Sequence, residues 1–271
     1  MNRYSFLFVA AAACLLGAMG CQRNPYAAAN KLYKKQAKAF SKVIRKAPLA
    51  DSLPQMGPWV GTTNFNLRKP NFVIIHHTAQ NSCAQTLKTF TLQKTQVSAH
   101  YLVCRDGTIH HLLNDYLRAW HGGVARWGNV TDINSTSIGI ELDNNGSEPF
   151  TDPQIGSLLE LLQTLKKAYG IPAPNFIGHA DIAPSRKVDP SRLFPWDRLA
   201  ADGFGLWYGD TTCLQVPAHF SPATALRLIG YDTRDSLAAA RAFRLHYLRD
   251  SGLLLDEPAQ KILYSLQQLS Q

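Results

Sequence analysis

The chain has 271 residues, of which 45% are hydrophobic, 10% aromatic and 17% charged. This composition is typical of a folded globular protein and excludes an intrinsically disordered chain. The length is enough for one large hydrophobic core and a small second domain. The formal net charge of +9 favours anionic partners such as nucleic acid, anionic lipid or carboxylate-rich cell wall, but its sign does not choose among them.

The first residues, 1–20, read as a secretory leader. Arg3 precedes a mostly apolar run, 4–19, which is too short for a comfortable membrane span and predicts a signal peptide. Cys21 ends the run, and the segment LLGAMGC resembles the lipobox of bacterial lipoproteins, in which the cysteine is lipidated and becomes the mature N-terminus. Gln22 follows where Asp would suggest inner-membrane retention, so we expect an outer-membrane lipoprotein facing the periplasm if the source is Gram-negative. An ordinary signal peptide is the alternative.

The remaining cysteines are expected in an oxidising compartment. Cys14 leaves with the leader and Cys21 would carry the lipid, so Cys83, Cys104 and Cys213 remain. An odd count leaves one thiol unpaired. Cys83 and Cys104 are the candidate disulfide, and none of the cysteines has the CxxC spacing of a zinc site.

The chain divides by pattern after the leader. Residues 21–50 are basic and contain no acid, so we expect a solvated tether, with an amphipathic helix on anionic lipid or wall as the alternative. Residues 51–208 alternate strands with helices, which predicts a mixed α/β domain. Its predicted strands are 72–75, 100–104, 108–113, 137–142 and 176–178, and its predicted helices are 82–95 and 151–169. Residues 211–271 predict three short helices, at 222–229, 236–249 and 258–269.

Three segments carry residues suited to catalysis. His76 and His77 directly follow a buried strand, and His179 follows another. Lys187 and Asp189 come after His179 on a loop bounded by prolines. Two histidines and an aspartate are a plausible ligand set, because catalytic zinc sites use three protein ligands and leave one position for water. A lysine one residue from the aspartate could stabilise an oxyanion.

Glu141 lies inside the apolar strand Ile138-Gly139-Ile140-Glu141-Leu142. Burying a carboxylate without a partner is energetically unfavourable, so an acid at such a position usually has a partner or a function. One such function is that of a general base. The structural alternative is a glutamate at a strand edge that points to water.

Together these motifs resemble the type-2 N-acetylmuramoyl-L-alanine amidases, a superfamily that includes peptidoglycan recognition proteins and phage lysozyme-amidases. The resemblance covers about residues 68 to 200. The segments that carry it are IIHHTA ending at Ala79, SAHYLV from Ser98, AWHGG from Ala119, GIEL from Gly139, and Gly178-His179 with the H-x7-K-x-D spacing to Asp189. It implies a mixed central β-sheet flanked by helices.

The resemblance also implies a role for each matching residue. His76, His179 and Asp189 match the ligands of one Zn²⁺ per chain, Glu141 the acid that activates water, and Lys187 the cation beside the transition state. The residues expected in the substrate groove are His77, His100, Trp120 and His121. The implied reaction cleaves the amide between the lactyl group of N-acetylmuramic acid, or its anhydro form, and L-alanine of the stem peptide.

The C-terminal helices resemble small three-helix peptidoglycan-binding domains. A lipid anchor, an amidase domain and such a bundle, in that order, resemble AmiD-type outer-membrane amidases. The expected partners are therefore peptidoglycan or muropeptides, and a membrane reached through the lipid anchor. Nucleic acid is disfavoured by the leader and by the lack of a reader motif. The sequence does not indicate an oligomeric state.

Two other functions, a non-catalytic binding module and a glycosidase, fit the sequence less well. Some recognition proteins keep this fold, lose zinc ligands and only bind wall fragments, but this chain keeps all three ligands together with Glu141 and Lys187. A glycosidase would use Glu141 and Asp143 as its carboxylate pair. Those two lie two residues apart on one face of a strand, which is too close for a pair flanking a sugar bond, and that reading leaves the histidines unused.

Overall fold

The structure is a computed structural model, and it describes residues 24–45 and 61–269. The predicted leader and the predicted lipid-bearing Cys21 lie outside these residues. No helix within the described ranges has both the length and the apolar character needed to cross a membrane. The chain divides into two compact units, Met1–Phe65 and Asn66–Gln271.

The described part of the first unit contains one helix, α1 (Ala27–Ile44). Helical spacing places its lysines on one side and most of its apolar side chains on the other. Four of these apolar side chains are exposed, from Leu32 at 43% to Ile44 at 73%. Within the basic segment, which was expected to be a solvated tether, Ala27–Ile44 is thus an amphipathic helix, and its placement on anionic lipid or wall stays a prediction.

Five strands form the sheet of the second unit: β1 (Phe72–His77), β2 (Tyr101–Val103), β3 (Ile109–His111), β4 (Ser137–Leu142) and β5 (Phe176–Gly178). Their spatial order is β3-β2-β4-β1-β5. β3 pairs antiparallel with β2, and the other pairs are parallel. This is the expected mixed sheet, and all five predicted strands are confirmed.

The helices of the α/β region are α2 (Cys83–Thr91), α3 (Ile133–Thr136), α4 (Asp152–Tyr169), α5 (His179–Ile182) and α6 (Trp196–Ala201), with short 3-10 turns at Gln93–Thr95 and Ala173–Asn175. α2 ends earlier than predicted because Leu92 is extended, with φ −97° and ψ 115°. α4 is capped at both ends: the Thr151 side chain accepts from Gln154 N–H, and Gly170 ends the helix at φ 62°.

Each face of the sheet has its own apolar core. The face under α4 buries Val73, Ile75, Ile140 and Leu142 against leucines of that helix. The opposite face buries a smaller cluster that includes Ile74. His76 and Glu141 alternate onto this second face, because successive strand residues point to opposite sides.

The C-terminal helices are α7 (Pro222–Ile229), α8 (Ser236–Tyr247) and α9 (Glu257–Leu269). They surround a core that includes Leu226, Phe243 and Leu263, and Ala180 of α5 packs into the same core. The bundle therefore shares one compact unit with the sheet. The domain boundary drawn from sequence between 208 and 211 stays a prediction.

The disulfide expected from the cysteine count is confirmed. Cys83 at the start of α2 is bonded to Cys104 after β2, with the two Cα atoms 5.5 Å apart. Cys213 is the free cysteine among the described residues, and it is exposed.

Candidate active site and metal centre

Three parallel strands bring the predicted site residues to one edge of the sheet. The pairing of β1 with β4 sets His76 beside Glu141. The pairing of β1 with β5 sets Ile75 beside Gly178, the residue before His179. The carboxyl ends of parallel strands are the usual ligand-binding edge of an α/β sheet. The topology therefore gathers residues that lie about a hundred positions apart in sequence.

The loop between α5 and α6 brings Asp189 to the same place. Ala180 N–H donates to the Asp189 carbonyl at 2.7 Å, so the loop folds back onto the start of α5. Lys187 N–H donates to the Ala183 carbonyl at 3.0 Å. These backbone bonds hold Lys187 and Asp189 near His179.

The ligand atoms of His76, His179 and Asp189 form a small triangle. The two Nδ1 atoms are 2.9 Å apart, and Asp189 Oδ2 lies 3.0 Å from His179 Nδ1 and 3.2 Å from His76 Nδ1. All three residues are buried. A tetrahedral ion with bonds of about 2.0–2.1 Å holds its ligand atoms about 3.3 Å apart. The triangle therefore has a size that fits a metal ion such as zinc.

The electrostatics of the triangle also fit a cation. Burial, and then the nearby His179, lower the pKa of His76 to about 4, so its imidazole is neutral at pH 7. Burial acts to raise the pKa of Asp189, but hydrogen bonds from His179 and His76 outweigh it and hold that pKa well below its usual range. Neutral imidazole and ionised carboxylate are the forms that bind metal.

The outward-facing nitrogens of the two histidines have partners of their own. His76 Nε2 lies 3.1 Å from His121 Nδ1, and His179 Nε2 lies 3.2 Å from the Gly122 carbonyl. With a metal ion bound at each Nδ1, each Nε2 would carry the proton and donate it outward. Such partners fix the tautomer and ring orientation of metal-binding histidines.

His121 therefore does more than the sequence predicted. It was expected in the substrate groove, and it does line the pocket, but it also supports His76. Its Nε2 lies 3.2 Å from Ser137 Oγ. Gly139 makes room for its ring, because a Cβ there would lie 2.4 Å from His121 Cγ.

Two supporting residues had no signal in the sequence. Asn134 Oδ1 accepts from the backbone N–H groups of His121 at 3.1 Å and Gly122 at 2.8 Å. Arg186 Nη2 donates to the Gly122 carbonyl at 3.0 Å. Both side chains fix the loop that contacts the two histidines. Their partners are backbone atoms of another segment, so only the folded chain reveals them.

Glu141 is the half-buried acid of the site. Its side chain opens on the pocket, yet its Oε2 atom is enclosed and has no hydrogen-bond partner among the described residues. Burial, helped by the charge of Asp189 and opposed by that of Lys187, raises the pKa of Glu141 to about 8. A cation in the adjacent triangle would lower that pKa again. The half-buried Lys187 opens on the same pocket.

The pocket in front of the triangle contains most of the predicted substrate contacts. Trp120, 50% exposed, and His77 both line it. His77 Nδ1 accepts from Ser191 N–H at 3.1 Å. Apolar side chains of α2 and the segment after it complete the wall, including Phe90 and Val97.

His100 does not lie in the substrate groove, where the sequence predicted it. It was expected to contact substrate, but its side chain is fully buried and does not line the pocket. Its Nδ1 accepts from Gly139 N–H at 3.1 Å, and its Nε2 lies 3.0 Å from the Leu117 carbonyl. Both ring nitrogens are therefore engaged by the backbone, and His100 belongs to the frame behind the site.

Comparison with known proteins agrees with this geometry. Residues 66–192 match the family model described as N-acetylmuramoyl-L-alanine amidase. A solved structure of AmiD from Escherichia coli, in complex with anhydro-N-acetylmuramic acid-L-Ala-D-γ-Glu-L-Lys, is 30% identical, with a TM-score of 0.67 over 78% of this chain and 93% of that one. The chain belongs to the N-acetylmuramoyl-L-alanine amidase family. The predicted family and fold class are thereby confirmed.

Other amidase relatives extend the comparison. AmpDH3 from Pseudomonas aeruginosa, solved with anhydromuramic pentapeptide, is 29% identical with a TM-score of 0.68, over 78% of this chain and 96% of that one. Among curated sequences, Escherichia coli AmiD is 39% identical over 50% of this chain and 54% of its own length. AmpD from Haemophilus influenzae is 42% identical over 40% of this chain and 59% of its own. The chain thus spans a little over half the length of the curated relatives it matches.

Proposed function

We propose that this amidase-family chain is a zinc-dependent N-acetylmuramoyl-L-alanine amidase. It hydrolyses the amide between the lactyl group of N-acetylmuramic acid, or its anhydro form, and L-alanine of the stem peptide. The observation that carries the proposal is the triangle of His76, His179 and Asp189 beside the enclosed carboxyl group of Glu141. The muropeptides named in the two relatives' complexes support the substrate class.

One Zn²⁺ per chain is the proposed cofactor, with His76 Nδ1, His179 Nδ1 and Asp189 Oδ2 as its ligands. When bound, zinc polarises a carbonyl and lowers the pKa of a water molecule, which is the chemistry that amide hydrolysis needs. The donor set of two imidazoles and one carboxylate suits zinc and leaves one of its four positions for other molecules. His121 and the Gly122 carbonyl hold the ligand rings in place.

Glu141 is the proposed general base and acid. Its carboxylate takes a proton from the attacking water and later delivers one to the leaving amine of L-alanine. The place of Glu141 on the wall of the pocket suits this task, because the proton has to pass between its carboxyl group and molecules bound there. General acid–base groups contribute about 10²–10⁴ in rate.

Lys187 and the pocket wall complete the proposed machinery. The Lys187 ammonium stabilises the negative charge that develops on the carbonyl oxygen. Trp120 offers an exposed ring beside the centre, as expected for contact with a sugar or peptide. His77 lines the same pocket. The C-terminal bundle is proposed to bind peptidoglycan, as its sequence resemblance implied.

The proposed biological setting is turnover of the cell wall in the envelope. Lipidation of Cys21 would attach the chain to the outer membrane, facing the periplasm. Helix α1 would lie near that anchor, and its basic side suits an anionic surface of lipid or wall. Both features keep the site close to peptidoglycan. A binding module without catalysis is the second candidate, and the retained centre argues against it.

The test is zinc content and product analysis on one preparation. We expect about one zinc per chain by elemental analysis. Incubation with anhydro-N-acetylmuramoyl-L-Ala-D-γ-Glu-L-Lys should release the tripeptide with a free L-alanine amine, seen by mass spectrometry. Binding of this muropeptide without release, with or without added zinc, would refute the enzyme and support the binding module.

A further inference from the structure

Helix α5 connects the metal centre to the C-terminal bundle. It begins with His179, and Asp181 follows two residues later, facing away from the triangle toward α8. Asp181 is 2% exposed, so its carboxylate is buried where the bundle meets the α/β region. A buried carboxylate requires partners, and here the bundle supplies two of the three.

Both oxygens of Asp181 are hydrogen bonded. Tyr231, between α7 and α8, donates its hydroxyl to Oδ1 at 2.7 Å. His246 of α8 donates its Nδ1–H to Oδ2 at 2.8 Å. Oδ2 also accepts the backbone N–H of Gly178 at 2.7 Å. The carboxylate therefore joins two bundle side chains to the backbone N–H of Gly178, the residue directly before His179.

The two bundle donors are themselves held in place. The His246 ring stacks on Trp196, with centroids 3.9 Å apart and an interplanar angle of 12°. Tyr231 packs edge-on against Trp127 at 5.0 Å. Burial, followed by the charge of Asp181, raises the pKa of the Tyr231 phenol, so the hydroxyl keeps the proton that it donates. Neither donor can turn away without losing its ring contact.

A second set of contacts joins the bundle to the loop after α5. Arg241 of α8 donates from Nη2 to the Pro184 carbonyl at 2.9 Å. Ser185 Oγ donates to Asp235 Oδ2 at 3.3 Å. This loop leads directly to Lys187 and Asp189. The bundle thus contacts the chain at three residues between His179 and Asp189, which are two of the three candidate ligands.

We propose that Tyr231 and His246 are positioning residues of the metal centre, which act through Asp181 on the orientation of His179. The C-terminal bundle is then part of the catalytic unit, whatever it binds on its outer surface. The inference rests on the proposed function, because it concerns the zinc ligand His179. The physical reason is that a ligand on a four-residue helix has little rigidity of its own, and the Gly178–Asp181–bundle bonds supply it.

If the C-terminal bundle had only a structural role, its variants would behave differently from those of a positioning network. A structural cap would lower the stability of the whole unit and leave the remaining folded molecules with normal zinc affinity. A positioning network changes the properties of the folded molecules themselves. Partners that orient metal ligands typically contribute about 10- to 100-fold in metal affinity or activity. Zinc affinity therefore separates the two cases.

The experiment compares four variants of the full chain with the wild type. Tyr231→Phe removes one hydroxyl, and His246→Phe keeps a ring on Trp196 but removes the donor. His246→Asn restores a donor near the position of Nδ1. Leu263→Ala creates a cavity in the bundle core, away from Asp181, as the control for lost stability. Each variant is tested for zinc affinity by chelator competition, for kcat and KM at saturating zinc, and for Tm.

For Tyr231→Phe and His246→Phe we expect about tenfold weaker zinc binding and about tenfold lower kcat, with KM unchanged. His246→Asn should recover most of both losses, and Leu263→Ala should lower Tm with zinc affinity and kcat unchanged. Wild-type zinc affinity and kcat in both phenylalanine variants would overturn the inference, as would equal zinc loss in Leu263→Ala. A wild type without zinc or cleavage would instead refute the proposed function, so the two failures are distinguishable.

Discussion

Two clusters of buried and half-buried polar side chains lie on either side of α5, and they use the same kinds of residue. The catalytic cluster contains His76, His179, Asp189 and Glu141, and the junction cluster contains Asp181, Tyr231 and His246. In the junction cluster, each carboxylate oxygen receives a hydrogen bond. In the catalytic cluster, two histidine nitrogens and a carboxylate oxygen converge, and Glu141 Oε2 has no partner among the described residues.

The presence or absence of hydrogen-bond partners distinguishes the structural cluster from the functional one. Buried polar groups in folded proteins are nearly always hydrogen bonded, so a cluster of polar groups that lack hydrogen-bond partners indicates a binding site. The junction cluster is complete and stabilises the fold. The catalytic cluster lacks a hydrogen-bond partner at Glu141 Oε2, and its three converging ligand atoms suit a bound metal ion. Substitutions in the catalytic cluster should therefore lower activity with little change in stability, whereas substitutions in the junction cluster should lower stability in addition to their effect on zinc binding and kcat.

The largest expected effect is on catalysis, at Glu141. Glu141→Gln keeps the size of the side chain and removes the proton acceptor, so kcat should fall by about 10²–10⁴. Zinc content should stay at the wild-type level, because Glu141 is not one of the three proposed ligands. The free energy of unfolding, measured in urea with a chelator present, should stay within about 1 kcal/mol of wild type. A carboxylate without hydrogen bonds contributes little to stability.

Glu160→Gln is the matched control, because Glu160 is an exposed glutamate on α4. It should change neither kcat nor stability. Full activity in Glu141→Gln would remove the general base from the proposed mechanism. A large loss of stability there would show that the two clusters do not differ as described.

The sequence predicted the fold well because its signals were local. The apolar run from Ile138 to Leu142 and the caps Thr151 and Gly170 each act within a few residues. For the basic segment that contains α1, the sequence favours a solvated tether over a helix. Its lysines and apolar residues carry a helical period, but a segment of this composition is equally compatible with a solvated chain.

The catalytic cluster could be anticipated only in part. His76, His179 and Asp189 lie at strand ends and on a short loop, so pattern and family resemblance together identified them. His100 was misplaced because a histidine in a strand can face the pocket or the frame behind it. Asn134 and the junction cluster gave no signal, because their partners come from distant segments and from backbone atoms.

The second effect in size is on stability, at Asp181. Asp181→Ala removes the acceptor of three hydrogen bonds and leaves the Tyr231 hydroxyl and His246 buried without it. Each buried donor left without an acceptor costs about 1–3 kcal/mol of stability. Urea unfolding with a chelator present isolates this loss from any change in zinc binding. The exposed Asp202→Ala serves as control, and equal midpoints for the two variants would contradict the structural role of the junction.

The smallest of the three effects is expected at Lys187, and it belongs to the catalytic cluster. Its ammonium group forms no salt bridge with the described part of the chain, so Lys187→Met should leave the unfolding midpoint unchanged. Loss of one group that stabilises an oxyanion lowers kcat by about 10²–10³. Lys167→Met, at an exposed position on α4, should have wild-type kcat. If Lys187→Met lowered stability and left kcat unchanged, Lys187 would resemble the junction residues, and the oxyanion would need another donor.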